Sequence, residues 1–74
     1  MNHVKRIDEM AERLDQRERM RLAGLFDIKP NELESFSDEL FELTSGGNYE
    51  SVYEFAQMEG IDVDDVYAVI RIKH

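Results

Sequence analysis

Apolar positions recur at helical spacing along most of the chain, and two breaks divide them. Val4, Ile7, Ala11, Leu14, Leu22 and Leu25 follow steps of three, four or eight with only Glu18 in the stripe, which predicts helix over 4–26. Asp15 and Glu18, three apart, form a capping-box-like start inside that run, so one helix and two shorter ones are both open. Gly24 weakens the helix near its end, and Pro30 disfavours helix at Lys29. From Pro30 to Thr44 the stripe Leu33, Phe36, Leu40, Leu43, with Phe41 beside it, predicts a further helix. Ser45-Gly46-Gly47-Asn48 then breaks the chain, and Asn48 or Ser51 can cap the next helix. Val52, Phe55 and Ala56 form one apolar face, Val66, Val69 and Ile70 another, with Gly60-Ile61 between them. Val66 to Ile72 is also rich in β-formers, but no second segment alternates comparably to pair with it, so helix is expected. Arg71 and Lys73 suit the negative end of such a helix. The pattern as a whole predicts an all-α single domain over 1–74. It would be a bundle of four or five short helices around Phe26, Phe36, Phe41 and Phe55, with methionines filling gaps.

Within the last third, Ala56 is small where two helices must cross and Gly60 stands where the first helix ends. Ile61 plugs the corner, and Asp62 can cap the second helix with Asp65 three positions on. Residues 51–71 thereby resemble the helix-turn-helix of bacterial and phage regulators, whose small residue, glycine and branched apolar residue match Ala56, Gly60 and Val66. The fragment 14–26, with Arg17-Glu18-Arg19 between spaced leucines, is similar to the helix that precedes the helix-turn-helix in the last DNA-binding region of sigma factors. Both resemblances imply regulation at DNA through the second helix of the pair.

Charge changes that expectation. Residues 1–29 carry seven bases and six acids, whereas residues 30–74 carry eleven acids against Arg71 and Lys73, so the net charge of -8 belongs to the second half. The would-be recognition helix offers Asp62, Asp64, Asp65 and Tyr67, preceded by Glu59, and such carboxylates repel phosphate. The sequence therefore predicts a protein-interaction module, a regulator or inhibitor whose acidic side docks on a basic partner such as the transcription machinery. Tyr67, with Tyr49 or Tyr53, would supply aromatic anchors. An alternative is DNA binding by the N-terminal helix through Arg6, Arg13, Arg17 and Arg21, which share a face but have Glu9, Asp15 and Glu18 within pairing distance. Homodimerisation is a third possibility, since 74 residues form only a thin core.

Catalytic and metal chemistry finds no foothold in the sequence. There is no cysteine, His3 and His74 stand at opposite ends, and the serines lack a base, so neither a cofactor, a metal nor an enzymatic role is expected. Asp62-Val-Asp-Asp65 begins like a calcium loop, but Tyr67 and Lys73 stand where that loop needs glycine and glutamate. The longest apolar run, Val66 to Ile70, is far too short for a membrane span, and a soluble cytoplasmic protein is expected.

Overall fold

The computed structural model describes residues 15–74. It contains four α-helices of eleven residues each and, among the described residues, no strand: α1 (Gln16–Phe26), α2 (Leu33–Leu43), α3 (Tyr49–Glu59) and α4 (Val63–Lys73). A 3₁₀ turn, Pro30–Glu32, leads into α2, so the helical stretch expected from Pro30 divides at Leu33. Residues 66–72 are helical. Asp15 caps α1 in extended backbone, its Oδ1 accepting from the Glu18 N–H at 2.9 Å, so a helix start lies within the 4–26 run. The part of that run before Asp15, with Arg6 and Arg13, lies outside the described residues, as does His3. Asn48, rather than Ser51, caps α3 by accepting from the N–H groups of Glu50 and Ser51.

The buried centre is aliphatic: Leu22 and Ala23 from α1, Leu33 and Leu40 from α2, Val52 and Ala56 from α3, and Val66, Val69 and Ile70 from α4. The four phenylalanines expected there are only half-buried and ring this centre, with Phe26 and Phe36 meeting edge to face at 5.0 Å. Bulk explains the difference, since eleven-residue helices that approach closely leave room for branched side chains but not for rings. Met20 and Met58 are exposed and fill no gap, and Leu25 and Leu43, expected in the apolar stripes, face outward. Helix α4 packs mainly on α2 and less on its chain neighbour α3.

A buried serine lets α2 and α4 come together. Ser37 is fully buried; its hydroxyl donates to the Ile70 carbonyl at 2.8 Å and accepts from the Lys73 N–H at 3.2 Å. One small polar side chain thus ties the last turn of α4 to the middle of α2. At the chain end, His74 stacks on Phe41 with ring centroids 3.9 Å apart, and its Nε2 lies 2.8 Å from Asp38. The fold thus gives His74 an acidic and an aromatic neighbour, both from α2. Thr44, also buried, donates to the Leu40 carbonyl at 2.6 Å and accepts from the Gly47 N–H, closing the glycine turn.

Ion pairs clasp α1 to the other elements. Arg19 grips both carboxylate oxygens of Glu34, at 2.9 and 3.1 Å, and donates to the Pro30 carbonyl. Arg21 bonds Glu18 within α1 and reaches across to Asp65 of α4 at 2.9 Å. Hydrogen bonding to Arg19 holds Glu34 below the ordinary glutamate value, and Arg21 does the same for Glu18. The His74 ring lowers Asp38, helped by Lys73.

Replacing Ser37 by Ala should cost about 1 kcal/mol, because the Ile70 carbonyl loses a partner while the packing survives. Thermal unfolding would register this as a fall of roughly 4–8 °C per kcal/mol in a domain of this size, and an unchanged midpoint would remove the serine from its bridging role. A carboxyl depressed in the folded state stabilises above its unfolded value, and that contribution is lost as pH falls through the folded one. Urea unfolding from neutral pH down through the ordinary glutamate value of 4.5 should therefore show stability falling on the acid side. Glu34→Gln should be less stable at neutral pH by up to about 1 kcal/mol and show a shallower acid slope.

Candidate functional site

Three residues, Gly60-Ile61-Asp62, join α3 to α4. Gly60 adopts left-handed backbone with φ 69°, the conformation glycine reaches without a Cβ penalty, and the Ile61 N–H closes on the Ala56 carbonyl at 3.0 Å. Asp62 occupies the cap position of α4, yet its side chain makes no capping bond; its backbone carbonyl receives the Asp65 and Val66 N–H groups instead. The expected pairing of Asp62 with Asp65 across the cap is thereby corrected, since Asp65 turns to Arg21.

The sequence-derived site residues divide accordingly. Glu59, Asp62 and Asp64 are exposed around the elbow. Asp65 is half-buried and neutralised by Arg21. Tyr67 is not the exposed anchor expected: it is half-buried against the core, with the Arg71 guanidinium 5.4 Å above its ring. On the Arg face, Arg17 is exposed while Arg21 is held by two carboxylates. An open cleft of about 410 Å³ lies beside the elbow, its walls including Leu25, Ala56, Ile61, Asp62 and Asp65.

Helix α3 presents the surface that sequence reasoning left mostly unread. Tyr49 and Tyr53 are 62% and 46% exposed and stack on one another with centroids 6.3 Å apart. Glu50 and Glu54, one residue past each ring, are exposed, as is Met58 at the far end of the same row. A Tyr-Glu pair repeated four residues apart is the signal for it, because that interval returns to the same side of a helix.

No Lys or Arg occurs from Pro30 to Ile70, so cations reach this half only from α1 and from the end of α4. The ion pairs of the described residues take up Arg19, Arg21 and Lys73 on Glu34, Glu18, Asp65 and Asp38, and Arg71 sits over Tyr67. None of those pairs engages a carboxylate of α3 or of Asp62 and Asp64. Three helix ends carry acid against their own dipoles: Asp27 at the C-cap of α1, Glu42 near the end of α2 and Glu59 at the end of α3, with no base in any of the three last turns. Among the described residues no group of three or more His, Asp or Glu is arranged to hold a metal ion, and no helix is long and apolar enough to cross a membrane. Compared with known protein families, curated proteins and solved structures, the chain matches none.

Alanine at Gly60 should cost about 1 kcal/mol or more, because a Cβ at φ 69° is strained even where space is open. Guanidinium unfolding would measure this; a stability equal to that of the parent would mean the elbow relaxes to another backbone conformation.

Proposed function

We propose that this protein is an interaction module, built on a helix-turn-helix-like pair, that docks on the basic surface of a protein partner and regulates or inhibits it. The observation that carries this is the placement of charge: Glu50, Glu54, Glu59, Asp62 and Asp64 face solvent along α3 and the elbow, while Arg19, Arg21 and Lys73 are drawn into clasps elsewhere. Of these acids Glu59 alone opposes a helix dipole, at a cost of about 0.3–1 kcal/mol, whereas Glu50, Asp62 and Asp64 stand at helix N-termini that favour them. A basic surface turns that local cost into complementarity and fast, steered association. Asp65 and Tyr67 leave the docking set because they serve the fold.

Duplex DNA fits this surface poorly, since phosphates would meet the same carboxylates. The alternative contact through Arg6, Arg13, Arg17 and Arg21 is weakened by the two carboxylates on Arg21. A nucleic-acid-binding or transcription protein remains the partner class whose basic surface this charge pattern suits.

Glu59→Lys should raise stability by about 0.3–1 kcal/mol while weakening binding to a lysine- and arginine-rich peptide, measured by calorimetry at low and moderate salt. Asp62→Asn with Asp64→Asn should weaken the same binding, whereas Asp65→Asn should chiefly lower stability by weakening the Arg21 clasp between α1 and α4. Peptide binding that ignores all of these changes, or duplex binding that weakens steeply with salt, would count against the docking function.

A further inference from the structure

Building on the docking function above, we propose that the outward side of α3 recognises an arginine-bearing segment of the partner, with guanidinium groups stacked on Tyr49 and Tyr53 and held by Glu50 and Glu54. The repeat Tyr49-Glu50, Tyr53-Glu54 lays two rings in one row and two carboxylates in the next, about 100° round the helix. Both rings are open to solvent, although a tyrosine covers more apolar area than a surface position needs. Ring faces attract cations through their π electrons, and the planar, weakly hydrated guanidinium lies flat on them in a way the compact ammonium of lysine does not. The chain already makes this contact once, where Arg71 sits 5.4 Å over Tyr67.

The two rings are stacked, with centroids 6.3 Å apart and planes 28° from parallel, so a guanidinium takes the outer face of a ring, with a carboxylate in the next row for charge-assisted hydrogen bonds. Nucleic-acid bases could stack on the same rings, but their phosphates would be driven off by Glu50 and Glu54. A second copy of this chain would set like charges against each other across the same face.

Two eight-residue peptides of equal charge test this, one alternating Arg and Ser, the other Lys and Ser, titrated calorimetrically while the Tyr49 and Tyr53 ring resonances are followed. The arginine peptide should bind about five-fold tighter and shift both rings. Tyr49→Leu with Tyr53→Leu should abolish that preference, the two Tyr→Phe changes should keep it, and Glu50→Gln with Glu54→Gln should weaken both peptides; circular dichroism checks that each variant is folded. Equal affinity for the two peptides, or a preference that survives loss of both rings, overturns the arginine assignment. If both peptides then still bind and Asp62→Asn with Asp64→Asn weakens them, the docking function stands without it; if neither peptide binds, both fall. Self-association of the chain, seen by light scattering and abolished by the Tyr→Leu pair, would assign the face to a second copy instead.

Discussion

The fully buried Ser37 hydroxyl, shared between the Ile70 carbonyl and the Lys73 N–H, marks the contact on which the rest of the structure depends. Helices α2 and α4 are distant in sequence and carry the principal packing of the described residues. A larger side chain at this point would push them apart, and an apolar one would leave the crossing without its polar tie. With α4 held on α2, the branched residues Val66, Val69 and Ile70 close over Leu33 and Leu40, and α1 and α3 add Leu22, Ala23, Val52 and Ala56 around that seam. Each helix is too short to persist alone in water, so burial of these faces, more than helix propensity, keeps them helical.

That arrangement also decides where charge resides. Because α4 lies against α2, its acidic first turn comes within reach of α1, and Arg21 neutralises Asp65. Arg19 similarly consumes Glu34, and Lys73 and His74 consume Asp38. Helix α3 packs at the margin with none of its acids engaged by those pairs. The described ion pairs thus lie along α1, α2 and α4, while Glu50, Glu54, Glu59, Asp62 and Asp64 of α3 and the elbow stand outside them, as do Glu39 and Glu42 of α2, and two stacked tyrosines lie among the acids of α3.

Much of this was legible in the residues. Pro30, Gly46-Gly47 and Gly60 announce the breaks, Asp15 and Asn48 the caps, and the spaced branched residues the helices and their inner faces. Less legible were the identities within each stripe. Leu25 and Leu43 satisfy the same periodicity as Leu22 and Leu40, yet end in solvent. Periodicity fixes an angle round a helix, whereas burial depends on whether another helix arrives at that angle. Asp62, Asp64 and Asp65 look alike in sequence for the same reason; only the last meets an arginine, which lies 44 residues away.

The sequence by itself determined that the described part of the chain is helical, where its main breaks fall, and that its second half is acidic, because caps, breakers, spacing and charge are local or additive properties. Tertiary structure alone decided which acids stay open, which aromatic side chains stay exposed and which become packing, and that a serine lies fully buried between α2 and α4. Those outcomes depend on pairs of residues far apart in the chain, and no local pattern encodes the distance between them.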